Sequence, residues 1–236
     1  MRPVASGSST PRFPQAVAGL AEALSALGRY GAGAHEVRRP DAVGARVPWA
    51  ADNHWIDAAV VPVGATPPAD DAALPHCLWI ASGGRAEGRT ELPDIAMPVM
   101  ALDLADLPEA GAAAEAVPIG EIGAVNDRAY GGEQLGRLIG ALPPAFGRAY
   151  AVRDPGGGLA SVAAAIDLGT DVSVQWVATD PAHRRRGLGT QVMRALLDDA
   201  RRRGLWTASL QASPDGLPLY ERLGFTTVGY LHAHAR

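Results

Sequence analysis

The stretch Val177-Ala178-Thr179-Asp180-Pro181-Ala182-His183-Arg184-Arg185-Arg186-Gly187-Leu188-Gly189-Thr190 holds residue types suited to gripping an anion. It sits between an apolar strand and a segment in which Leu188, Val192, Leu196 and Ala200 share one helical face. A helix start leaves about four backbone N–H groups without intrahelical partners and carries partial positive charge. Gly187 and Gly189 remove side chains where a ligand must approach the backbone, and Arg184, Arg185 and Arg186 add charge at the same place. Together these suit a diphosphate. A P-loop is excluded because the chain has no lysine. A dinucleotide fingerprint is excluded too: Val192 stands where its third small residue belongs, and the preceding strands read as a meander.

A second segment, Leu219-Tyr220-Glu221-Arg222-Leu223-Gly224-Phe225, lies downstream. A short helix capped by Asp215 would keep Pro218 in its first turn, where a missing N–H does no harm, and put Tyr220 in the second. Gly224 would then supply a left-handed stop before Phe225 re-enters the sheet.

The ordered pair, Arg-x-x-Gly-x-Gly at a helix head and then Leu-Tyr-x-x-Leu-Gly-Phe, resembles the GCN5-related N-acetyltransferase (GNAT) family over about residues 106–236. The resemblance implies an α/β GNAT fold, a mixed and mostly antiparallel splayed sheet flanked by helices, with acetyl-CoA wedged between its fourth and fifth strands. Val177, Ala178 and Thr179 match the end of the fourth strand, whose backbone bonds the acetyl carbonyl and the pantetheine arm. Arg184 matches the first basic position of the loop. Arg185, Arg186, Gly187, Leu188, Gly189 and Thr190 match the residues whose N–H groups surround the diphosphate. Tyr220 matches the general acid of many members. Ser213 stands where many members have an asparagine, and is a shorter donor.

The chemistry implied is N-acetylation of an amine by direct attack on the thioester. An N–H from the fourth strand, that of Val177, would stabilise the oxyanion, and losing such a donor costs about 3–4 kcal/mol. Tyr220, with a phenol's ordinary pKa of about 10, would protonate the leaving thiolate. Asp127, Asp167 and Asp171 are candidates for the base; Gln175, on the fourth strand, cannot act as one. The segment Asn126-Asp127-Arg128-Ala129-Tyr130 falls near the helices that shape the acceptor site in the family, and Asp127, Tyr130 and Gln175 are the substrate-side candidates. The competing reading is a non-catalytic acyl-CoA-binding sensor or interaction module.

The elements that must position these groups are legible in outline. After Asp106 the order is helices at Ala113–Tyr130 and Gly132–Leu142, and strands at Arg148–Arg153, Leu159–Ile166 and Val172–Thr179. A helix at Gly187–Arg203, a strand at Thr207–Ala212, a short helix at Gly216–Leu223 and a last strand at Phe225–Ala233 complete it. Short turns between the three strands predict an antiparallel meander.

The first half reads differently. Residues 1–13 read as a flexible tail. A helix is expected at 14–29, then a poorly periodic stretch from Gly31 to Asn53, then strands at Trp55–Val63, His76–Ala81 and Ile95–Leu104. Residues 14–104 are expected to form a smaller, degenerate GNAT-like or accessory domain that walls the acceptor pocket or forms a homodimer surface, with 105–236 as the catalytic domain. Asn53, His54 and Trp55 read as a turn and a buried anchor, with reach toward a substrate as the alternative. His232 and His234, two apart on the last strand, read as a solvated sheet edge; no third metal ligand is evident and no metal is expected.

Composition narrows the class. The chain has 236 residues, 47% hydrophobic and 19% charged, with a net charge of -4, which argues against a nucleic-acid binder. All 21 basic residues are arginine. The lone cysteine, Cys77, excludes an internal disulfide and reads as a core residue. No apolar run is long enough to span a membrane and no secretory leader is recognisable, so a cytoplasmic location is expected.

Overall fold

The computed structural model describes residues 12–107, 114–132 and 134–236. The tail expected at 1–13 thus lies outside the described residues up to 11, and Arg12 and Phe13 already belong to a helix. That helix, α1 (Arg12–Tyr30), buries Val17, Leu24 and Leu27 among alanines and glycines. The small residues bring it close to the sheet: a Cβ added at Gly19 would stand 2.2 Å from Ser173 Oγ.

A hairpin follows, β1 (His35–Arg39) and β2 (Ala42–Arg46), in a stretch whose letters show no clear period. Gly44 hides the pattern. It occupies a strand position where a Cβ would lie 2.3 Å from Ala58 O, so the backbone of the next strand takes the room of a hydrophobic side chain. Next come β3 (Ala58–Val60), β4 (Cys77–Ala81) and β5 (Thr90–Asp103). β3 is shorter than the expected Trp55–Val63. The buried Asp57 carboxylate accepts the N–H groups of Val47 (2.5 Å) and His76 (2.8 Å), which holds the preceding residues in a turn.

The second half contains β6 (Glu115–Val117), α2 (Gly123–Tyr130), α3 (Gln134–Ile139), β7 (Arg148–Arg153), β8 (Leu159–Leu168) and β9 (Asp171–Thr179). It continues with α4 (Leu188–Arg202), β10 (Thr207–Gln211), α5 (Leu217–Arg222) and β11 (Thr226–Ala235). The helix expected over Ala113–Tyr130 is corrected: Glu115–Val117 pairs with β7 as a strand, and the helix proper starts at Gly123. Pro118, extended at ψ 134°, separates the two.

All strands join one sheet, in the order β1-β2-β3-β4-β11-β5-β10-β9-β8-β7-β6. The two halves repeat a pattern. In the first, β1, β2 and β3 are antiparallel and β4 adds parallel to β3; in the second, β7, β8 and β9 are antiparallel and β10 adds parallel to β9. Each half lends its last strand to the other: β11 lies on β4, and β5 lies on β10. Where the second half has α4, the first has an irregular loop. The loop is held by Arg89, whose fully buried side chain pairs with Asp70 and donates to the carbonyls of Pro75 and His76.

This arrangement corrects the expectation for the histidines. β11 is interior, between β4 and β5, and a bulge separates His232 from His234. His234 is buried, whereas His232 contacts Ser82 Oγ (3.0 Å) and Glu91 (3.2 Å). Cys77 is buried in β4, and burial pushes its thiol up to about 12. Among the described residues no helix is long and apolar enough to cross a membrane.

Candidate functional site

β9 and β10 are paired only over Asp171–Ser173 and Thr207–Ser209. Their lower ends are fastened by buried polar groups. The Asp171 carboxylate accepts the hydroxyls of Thr207 and Ser209, each at 2.6 Å, and burial raises its pKa. Gln175 Nε2 donates to Ser173 Oγ (2.9 Å) and Gln211 Oε1 (3.1 Å), and Gln211 Nε2 donates to Ala16 O of α1 (2.8 Å). Above this fastening the strands part and leave a slot.

The β9 side of the slot is bulged. Gln175 lies opposite Ala164 and Ala178 opposite Val162, so Trp176 and Val177 together face Ala163. Trp176 adopts φ +50°, a left-handed conformation strained for a side chain of its size. Beyond the bulge, Asp180 N–H donates to Ala160 O (2.9 Å). Antiparallel alternation then turns the peptide groups of Ala178 toward β8 and the carbonyls of Val177 and Thr179 toward the slot. Both slot-facing carbonyls have partners: the Tyr130 hydroxyl donates to Val177 O (3.0 Å), and Arg184 Nε donates to Thr179 O (3.3 Å). Arg184 Nη2 also donates to Ala129 O (2.9 Å), so this arginine ties β9 to the end of α2.

The loop after β9 is shaped by its own residues. Asp180 Oδ1 accepts Ala182 N–H (3.0 Å) and Oδ2 accepts Arg128 Nε (2.6 Å), which holds the Asp180 carboxyl below its usual range. Arg185 (φ +64°) and Gly187 (φ +75°) are both left-handed. The first bond of α4 runs from Gln191 N–H to Gly187 O (3.1 Å). The N–H groups of Arg185, Arg186, Gly187, Leu188, Gly189 and Thr190 meet no acceptor among the described residues. Such a run is an anion-binding concavity at the positive end of a helix. A Cβ at Gly187 would find open space, while one at Gly189 would touch Leu219 Cδ2 (3.3 Å) and Thr179 Oγ1 (3.7 Å). The concavity therefore adjoins the mouth of the slot. Val192, Met193, Leu196 and Leu197, fully buried on the underside of α4, anchor it.

α5 closes the other side. Its N-cap is Gly216 and not Asp215, a correction, and the turn leading into it is closed by Ser213: Ser213 O accepts Gly216 and Leu217 N–H (3.0 Å each) and Ser213 Oγ accepts Gly216 N–H (3.2 Å). Pro218 falls in the first turn, as expected. The Tyr220 ring packs edge-on to Phe225 (centroids 6.1 Å apart) and against Gly216, where a Cβ would lie 2.9 Å from Cε2. Tyr220 is buried, yet its hydroxyl makes no hydrogen bond among the described residues; burial, with a smaller contribution from Tyr130, raises its pKa.

The structure thus gathers Val177, Thr179, Gly189, Ser213, Tyr220 and Tyr130 around one slot. Other candidates are engaged elsewhere. Asp127 Oδ1 accepts Gly136 N–H (2.7 Å), tying α2 to α3, and Asp127 lines an open depression with Ala124, Arg128, Gly131 and Gly132. Asp167 pairs with Arg148 (2.8 Å) and Arg203. Gln175 and Asp171 belong to the fastening below the slot. Asn53 Nδ2 donates to Gln134 Oε1 (2.8 Å), and Trp55 stacks on Trp79 (4.9 Å) but is half-exposed, not the buried anchor expected. Two further residues matter here: Trp176, at the bulge, which the sequence did not point to, and Asn126, fully buried on α2, which the sequence placed only within the segment Asn126–Tyr130 and gave no role. Among the described residues no group of three or more His, Cys, Asp or Glu side chains is arranged to hold a metal.

Comparison with known proteins agrees with this geometry. Residues 146–227 match the model of the acetyltransferase (GNAT) domain. Among solved structures, a GCN5-related N-acetyltransferase from Kribbella flavida is 21% identical, with 93% of this chain and 95% of that chain covered and a TM-score of 0.59. A protein assigned to the GNAT family from Novosphingobium aromaticivorans is 19% identical, with 95% of each chain covered and a TM-score of 0.58. A tandem GNAT protein from the clavulanic acid biosynthesis pathway is 15% identical, covering 76% of this chain and 75% of its own, with a TM-score of 0.50. No curated protein matches the sequence. Residues 146–227 of this chain thus match an acetyltransferase (GNAT) domain, set in a mixed α/β fold that these structures share.

Proposed function

We propose that the protein transfers an acetyl group from acetyl-CoA to an amine by direct attack. The observation that carries this reading is the run of unpaired N–H groups from Arg185 to Thr190 beside the open edge of β9, with the free Tyr220 hydroxyl across the slot. The diphosphate would sit on those N–H groups, and the pantetheine arm would lie along β9 at Val177 and Thr179, where Ser213 could donate to it from the opposite wall. A neutral amine attacks the thioester carbonyl and a C–N bond forms. Val177 N–H would stabilise the oxyanion. The C–S bond then breaks, the thiolate takes the Tyr220 proton, and the phenolate recovers a proton from solvent. Asp167 and Asp171 are held by other donors and Asp127 ties α2 to α3, so no carboxylate is assigned as base and the amine's proton leaves to water.

We also propose that the first half is a second GNAT-like unit without a donor site. The repeated strand pattern supports this, as does the irregular loop that stands where α4 carries the N–H concavity.

Thiol release from acetyl-CoA, screened over small amines, aminoglycosides and peptide N-termini, tests the function. Release that depends on one acceptor class is expected. Tight acetyl-CoA binding with no release across the panel would instead identify a non-catalytic acyl-CoA-binding module, and absence of binding would refute both.

A further inference from the structure

Asn126 is fully buried in α2 and is asked to hold a polar group in an otherwise apolar core. Its Nδ2 donates to Ile122 O (3.1 Å), one turn back, and to Trp176 O (3.4 Å), in the β9 bulge. Its Oδ1 is buried without a hydrogen-bond partner among the described residues. Reversing the amide would set its oxygen against both carbonyls, so the orientation is forced by the two acceptors. A buried acceptor left unpaired is unfavourable, and asparagine is a poor helix interior residue. What the position gains is a partner for the Trp176 carbonyl, which the bulge leaves without a β8 neighbour.

That carbonyl belongs to the same planar peptide unit as Val177 N–H. Holding Trp176 O toward α2 aims Val177 N–H the opposite way, away from Asn126. One turn further along α2, Tyr130 holds the next carbonyl, Val177 O, from the slot side. The bulge is thus fixed from one helix at two successive peptide units, around a residue at a left-handed φ that would otherwise relax.

From this we infer that Asn126 is a positioning residue: through Trp176 O it sets the direction of Val177 N–H, the donor to the acyl carbonyl. The inference rests on the acyl-transfer reading above. It requires no contact between Asn126 and substrate.

The test uses acetonyl-CoA, a methyl-ketone analogue of acetyl-CoA that binds without being cleaved, so no acceptor need be known. In the full-length wild-type protein the Val177 amide proton, followed with 15N-valine, moves downfield with acetonyl-CoA more than with CoA alone, and the ketone stretch shifts to lower frequency. In Asn126→Leu the ketone stretch returns toward its free value while acetonyl-CoA affinity stays within about threefold. Asn126→Asp, nearly the same shape, serves if the leucine variant does not fold; its carboxylate repels Trp176 O when ionised and can donate when protonated. In that variant the ketone shift is therefore recovered as pH falls. A wild-type-like ketone frequency in a folded leucine variant, or a pH-independent, wild-type-like one in the aspartate variant, overturns the role of Asn126 alone. Absence of acetonyl-CoA binding, or of a Val177 response in the wild type, overturns the acyl-transfer reading and the inference with it.

Discussion

Gly187→Glu separates the proposed diphosphate grip from a mere basic turn. Gly187 lies at φ +75°, ψ 5°, and a Cβ there would find open space, so the glutamate side chain has room. The backbone cost of a side chain at such a left-handed position is about 1–2 kcal/mol, and it falls on folding stability. Gly187→Ala carries that cost without the charge and serves as the control. The glutamate carboxylate would stand near the N–H groups of Arg185 to Thr190, where it both competes for them and repels the ligand. A unit charge roughly 6 Å from another, at an effective dielectric constant of about 20–40, is worth about 1.5–3 kcal/mol. Facing a diphosphate with more than one charge, the substitution is expected to weaken acetyl-CoA binding by at least tenfold at low salt, and by less as salt screens it. Isothermal titration at two ionic strengths measures this. Glutamate and alanine variants that bind acetyl-CoA equally well at low salt would show that the diphosphate does not lie at the head of α4.

Three further outcomes are expected. Tyr220→Phe lowers turnover while acetyl-CoA affinity stays within about twofold; and because burial raises the Tyr220 pKa, the protonated acid persists as pH rises, so wild-type turnover should show no loss of this acid up to the phenol's ordinary pKa of about 10. A fall centred near pH 8 that disappears in Tyr220→Phe would contradict the raised pKa. Tyr130→Phe frees Val177 O for a pantetheine amide, and a hydrogen bond of about 0.5–1.5 kcal/mol predicts two- to tenfold tighter acyl-CoA binding by titration; weaker binding would mean that Tyr130 holds the ligand. A fragment of residues 105–236 lacks β5, which pairs with both β10 and β11, and is expected to show no cooperative thermal unfolding; adding a peptide of residues 90–104 should restore it.

Much of the site could be read in one dimension because its parts are local. The glycines and arginines of Arg184–Gly189 and the helix they begin are contiguous, and helix heads expose N–H groups whatever surrounds them. The same holds for Pro218, Tyr220 and Gly224, whose positions in α5 follow from backbone chemistry alone. The meander β7–β8–β9 followed likewise from alternation and short turns.

What depended on distant partners was not legible. Gly44 sits in a strand only because another strand's backbone fills its side-chain space. Ser213 closes the turn into α5 where Asp215 had the better local credentials, because the path of the chain leaving β10 presents its carbonyl and hydroxyl to Gly216. Asp127, Asp167 and Asp171 are titratable letters in the sequence, but each is held by residues 9 to 38 positions away. Above all, residue order divides the chain near Asp106, while pairing carries β5 into the second half and β11 into the first. Hydrophobic periodicity says that a strand will bury its faces, but not whose edge it will join. That choice is made by hydrogen-bonding edges and packing, and only the folded chain brings those together.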